Sequence, residues 1–189
     1  MVESFRRLAV VAALSLLAAA CASAPPSGNY ADYRAMPGYG RGGPSARIEY
    51  PAHKLQCVPY ARRLTGIPIH GDAWTWWEQA AGQYPRGYDP IPGAIAVFDG
   101  YAGPHRAHLA VVRTIVSSRM IRIDHANWLD HGNIYLDDPV MDVSANNDWS
   151  EVRVYNLASH AWGGHTYHVR GFIGPGDGGD DTSRVAESD

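Results

Sequence analysis

Cysteine is almost absent: in 189 residues only Cys21 and Cys57 carry a thiol, too few for a disulfide framework and unsuited to a multi-cysteine zinc or iron–sulfur site. Each thiol therefore needs its own explanation. Charge is also sparse, at 19% of residues, with 16 Lys+Arg against 19 Asp+Glu. No Lys/Arg run occurs, which argues against a nucleic-acid partner. Long apolar runs are missing except near the start, where Leu8 to Ala20 falls short of the roughly 20 residues a bilayer span requires. What remains is 46% hydrophobic residues, enough for one compact globular domain and far from the composition of a disordered chain.

The basic pair Arg6–Arg7 before that apolar run has the shape of a secretory signal. Leu17-Ala18-Ala19-Ala20-Cys21 resembles a bacterial lipobox, in which signal removal leaves a lipidated cysteine as the new first residue. Cleavage after Ala18-Ala19-Ala20 to give a soluble secreted protein is the alternative, and both readings export the chain. Acyl chains on Cys21 would hold it to a membrane by roughly 0.8 kcal/mol per buried methylene. The expected organisation is a signal peptide over 1–20, a Pro/Gly-rich tether over 21–52, a folded domain over 53–173 and an acidic disordered tail over 174–189.

Within the domain, Cys57 to Leu64 predicts a helix with Pro59 in its first turn and Gly66 just past its end. Asp72 is placed to cap a second helix over 73–81, with Trp74 and Trp77 packed inward and Trp76 more exposed. Strands are expected at 94–98, 108–116, 120–128, a short pair at 134–136 and 140–143, then 151–155 and 167–173. Helices followed by an antiparallel sheet predict an α+β fold.

That order places Cys57 at a helix N-terminus, where unpaired N–H groups and the helix dipole favour a thiolate. A base must take and return its proton. His108 opens the β-branched strand His108-Leu109-Ala110-Val111-Val112 and is the candidate. On the next strand, period-2 alternation puts Ile121, Ile123, His125 and Asn127 on one face and Arg122, Asp124 and Ala126 on the other.

Six segments in order, Gln56-Cys57-Val58-Pro59-Tyr60-Ala61, Gly71-Asp72-Ala73-Trp74, Pro92 to Phe98, His108 to Val112, His125-Ala126-Asn127-Trp128 and Gly171-Phe172-Ile173, resemble a CHAP domain. This is a family of cysteine, histidine-dependent amidohydrolases and peptidases of the papain-like kind. The resemblance implies a papain-like fold with N-terminal helices packed on an antiparallel sheet, Cys57 as nucleophile and His108 as general base and later acid. Many members carry Glu-x-Asn where this chain has His125-Ala126-Asn127. His125 is then the expected orienter of His108, as in related NlpC-type peptidases, with Asn127 assisting and Asp124 a carboxylate substitute. The oxyanion would be received by the Cys57 N–H and the Gln56 side chain.

For an exported bacterial protein the abundant amides of suitable shape are those of peptidoglycan peptides, so location makes them the expected substrate of the amide chemistry that the resemblance implies; no metal or other cofactor is expected, and the chain is expected to be a monomer. The missing Glu motivates an alternative, a non-catalytic wall-binding lipoprotein on a degenerate hydrolase fold. Two further readings carry less weight. His105-x-x-His108 would suit a zinc clamp but has no matching third ligand, and Trp128 and Trp149 would suit a sugar-stacking groove.

Overall fold

The computed structural model describes residues 46–100, 103–129 and 131–175. The expected signal, Cys21, most of the tether and nearly all of the acidic tail lie outside the described residues. In chain order the elements are β1 Arg47–Glu49, α1 Cys57–Thr65, a 3-10 turn Ala73–Thr75 leading into α2 Trp76–Gln79, and β2 Arg86–Gly87. There follow β3 Ile95–Asp99, β4 His108–Ser117, β5 Met120–Ala126, β6 Ile134–Asp142, β7 Glu151–Asn156, β8 Ala161–Trp162 and β9 Tyr167–Ile173.

These strands correct the α+β, papain-like expectation of helices on a sheet. Among the described residues about 40% are in strands and 13% in helices, and six strands close into a barrel. The sheet runs β1-β6-β5-β4-β3-β9-β7-β8, and a further pairing of β6 with β7 joins its two sides. Closure follows from the length of β6: its first part pairs with β1 and β5, and Val140 to Asp142 also pair with Val154 to Val152 of β7. The helical layer is thin for a local reason. Asp72 makes no side-chain cap, and residues 73–75 wind as a 3-10 turn, leaving four residues for α2. The tighter turn also shifts the helical phase, so Trp76 is fully buried and Trp74 is 39% exposed, the reverse of the expected order. Arg47–Glu49, expected in the tether, is instead a strand on β6.

Alternation along the strands builds two cores. Ala94, Ala96, Phe98, Ala110, Val112, Ile121, Ile123, Val140, Val152, Val154 and Phe172 fill the barrel interior, where the small alanines leave room for Trp128, Tyr135 and Trp149. Ile95, Val97, Leu109, Val111 and Ile173 face the other way and pack under Ala61, Ile67, Ile69, Ala73, Trp76 and Ala80. Fully burying each large aliphatic contributes about 1.5–3 kcal/mol, so α1 is fixed to the outer wall at the level where β4 begins.

One irregularity matters for the site. Across β5–β6, Ile123 pairs with Asp138 and His125 with Tyr135, so Asp124 faces two residues of β6 and the register shifts. Asp137 takes up the extra residue at φ 54°. A bulge of this kind turns the following side chains by one position. Tyr135 and Val140 both end in the barrel interior, although strict alternation would put them on opposite faces, and Asp138 turns inward with Val140. Pro139 is accommodated here because the pairing with β7 begins only at Val140.

Candidate active site

Gln56 is the N-cap of α1 in extended conformation, and its side chain does not cap the helix. The sulfur of Cys57, half-buried, is reached by the backbone N–H groups of Leu109, Val58 and Cys57 itself. The contact with Leu109 brings the thiol to the residue beside His108. Burial pushes the Cys57 thiol up, and these N–H groups offset that only in part. Desolvation of the charged form thus opposes the thiolate that the helix terminus favours.

His108 is buried and shares the inward face with Ala110 and Val112. Its Nε2 lies 2.9 Å from Nδ1 of His125, and Nε2 of His125 lies 3.0 Å from Oδ2 of Asp138. Both His125 and Asp138 are fully buried. Aromatic rings wall the pair: Trp128 sits 4.8 Å from the His108 ring and 5.3 Å from the His125 ring, and Tyr135 lies 5.2 Å from His125. Shielding from water disfavours imidazolium, so burial lowers His108 well below its ordinary value, with the His125 charge adding to it, and lowers His125 to about 3. Burial, and then the neighbouring Asp137, push the Asp138 carboxyl well above the usual range.

Asp138 escaped the sequence reading, since period-2 alternation from Tyr135 would turn it outward. The sequence signal is the Asp137-Asp138-Pro139 run, which interrupts the apolar alternation of β6 and predicts a gap between two strands.

Asn127 is not directed at His108. At φ 62°, its Oδ1 accepts the Gly132 N–H at 2.8 Å and its Nδ2 donates to Oε1 of Gln56 at 2.8 Å. Because the Gly132 N–H can only donate, the Asn127 amide has one orientation, and this in turn fixes Gln56 with Oε1 inward. Gln56 Nε2 is thus the end turned away from Asn127. Leu55 N–H also donates to the Gly132 carbonyl at 3.1 Å, clipping the segment before Cys57 to the loop after β5. That approach requires glycine, since a Cβ at Gly132 would stand 2.8 Å from Cα of Lys54.

The other candidates lie elsewhere. Asp124 accepts the Asp137 N–H at 2.7 Å and pairs with Arg113 at 3.2 Å, serving the bulge rather than His108. The His105 ring lies tilted against Trp74, with centroids 5.0 Å apart, and no group of three metal-ligating side chains occurs among the described residues. Trp128 and Trp149 are each 4% exposed, so they pack the interior and offer no stacking platform. Among the described residues no helix is long and apolar enough to cross a membrane.

A cysteine at a helix start packed against the strand that carries a buried histidine, itself held by a second histidine, is an arrangement of the kind that thiol-dependent acyl transfer uses. Residues 47–127 match the family model of the CHAP domain, which supports a CHAP-domain protein. The family is one of amidases and peptidases, which supports hydrolase activity on peptidoglycan in general terms. No curated protein matches the chain. The matched segment ends at Asn127, so Asp138 lies beyond it.

Proposed function

We propose that this protein is an exported cysteine amidohydrolase or endopeptidase that cleaves amide bonds in peptidoglycan peptides through a Cys57 acyl-enzyme. The observation that carries this reading is the packing of Cys57 against the cluster that holds Leu109, the residue after His108, together with the hold of His125 on Nε2 of the His108 ring. In the resting site a neutral thiol faces a neutral imidazole. On substrate binding, His108 Nδ1 takes the thiol proton as sulfur attacks the carbonyl carbon. The oxyanion is received by the Cys57 N–H and Gln56 Nε2. His108 then protonates the departing amine, and a water activated by the same ring cleaves the thioester, restoring the thiol.

Export rests on the signal-like segment 1–20, and membrane attachment on lipidation of Cys21. The test is amine release from purified peptidoglycan sacculi, with mass spectrometry of the fragments to identify the bond. Wild-type protein should release new termini and Cys57→Ser should not. Equal release by both would overturn the hydrolase reading. Saturable binding to sacculi without any release would favour the wall-binding lipoprotein.

A further inference from the structure

The hydrogen bonds joining Asp138, His125 and His108 admit only two proton arrangements. Each of the two contacts, at 3.0 Å and 2.9 Å, needs one proton between its heavy atoms, and a neutral imidazole carries a single N–H. In the first arrangement Asp138 is a carboxylic acid: it donates to His125 Nε2, His125 Nδ1–H donates to His108 Nε2, and His108 keeps its own proton on Nδ1. In the second Asp138 is a carboxylate: His125 Nε2–H donates to it, His108 Nε2–H donates to His125 Nδ1, and His108 Nδ1 is bare. Going from the first to the second releases one proton from His108 Nδ1, while two others shift along the existing bonds and the negative charge appears on Asp138. Only the second arrangement lets His108 accept the thiol proton.

We propose that Asp138 is a positioning residue which, through His125, selects the nitrogen of His108 that carries the proton and so switches that ring between base and non-base. The inference rests on the reading that Cys57 and His108 carry the chemistry. The geometry supports it at three points. The bulge at Asp137 aims Asp138 at His125. Asp138 is fully buried, and its Oδ1 has no hydrogen-bond partner among the described residues, so the carboxylate is costly and both arrangements come within reach. Among the described residues the groups around these three side chains include the Asp137 carboxylate, 3.3 Å from Arg122 Nη1, and the rings of Tyr135, Trp128 and Phe98. As a carboxylate, Asp138 also supplies the anion that the family's Glu would have contributed, one ring further from the sulfur.

The test uses the full chain labelled with 15N at histidine and 13C at aspartate, followed between about pH 4 and pH 9. In the wild type, His108 Nδ1 should pass from N–H to bare in the same step as the Asp138 carboxyl titrates, with both rings neutral throughout. Below that step kcat/KM for sacculi should rise about tenfold per pH unit. In Asp138→Asn both the tautomer change and this limb should vanish, whichever face the amide presents. Unchanged tautomers and an unchanged limb in the variant would overturn the proposal. Should the variant not fold, the wild type alone decides, because separate midpoints for the Asp138 carboxyl and His108 Nδ1 refute the coupling. Cleavage by Cys57 without the coupled step would sink only this inference; the coupled step without cleavage would sink only the hydrolase reading.

Discussion

Asn127→Asp is the most discriminating perturbation of the proposed oxyanion donor. Aspartate keeps the acceptor for the Gly132 N–H at 2.8 Å and tolerates the left-handed conformation at φ 62°, so the loop should hold and stability should change by no more than about 1 kcal/mol. The second oxygen, however, replaces the Nδ2 that now donates to Gln56 Oε1 at 2.8 Å. Two oxygens facing each other at that distance repel, and the Gln56 amide should turn over to offer its NH2 to the new carboxylate. Its carbonyl would then face the position of the developing oxyanion. Losing one oxyanion donor costs about 2.7–4 kcal/mol, or 10²–10³ in kcat; the solvent exposure of this pair favours the lower end, on the order of 10²-fold. The assay is amine release from sacculi at saturating substrate, with thermal unfolding as the control for folding. Gln56→Ala should cost a similar factor, and the double variant little more than either alone, because both remove one function. If Asn127→Asp turns over within about threefold of wild type, Gln56 does not stabilise the oxyanion and the argument from the fixed amide fails.

Alkylation of Cys57 by iodoacetamide should be slow at neutral pH and accelerate into the alkaline range, because burial holds the thiol up; a rate already at its plateau near pH 6 would contradict the neutral resting pair. Folding stability should fall as pH drops below about 6.5, since both buried rings are held neutral and the unfolded chain takes up protons first. Asp138 acts with opposite sign: its raised carboxyl contributes stability below the unfolded value, which is lost as pH rises. With two rings against one carboxyl the loss of stability toward acid should dominate, and Asp138→Asn should steepen it; denaturant titrations showing a flat profile would refute this. Gly132→Ala should destabilise the protein by about 1–3 kcal/mol, measured by denaturant unfolding, because the new Cβ meets Lys54 at a residue with φ 68°.

The places where sequence and structure part company have local physical causes. The strands at His108–Ser117, Met120–Ala126 and Tyr167–Ile173 stand close to where alternation and turn residues put them, and the shared face of Ile121, Ile123 and His125 is visible from period 2 alone. Barrel closure was not legible, because it depends on β6 pairing with β7 as well as β5, a long-range choice without local sign. Asp138 was hidden by the extra residue at Asp137, which inverts the face of everything after it. The Trp74 and Trp76 exposures were exchanged by a 3-10 turn that an α-helical period cannot describe. Period 2 puts Asn127 on the face of His125, and the resemblance implies that it assists there; its left-handed backbone takes it out of the strand and toward Gln56.

Shared pairing along β6 has a practical consequence for anyone trimming this chain. A fragment cut after Asn127, where the family match stops, would lack three of the six staves and present unprotected backbone along β3 and β5. Such raw edges invite intermolecular strand addition. An insoluble product from that fragment would reflect an unfinished cylinder and carry no information about the chemistry at Cys57.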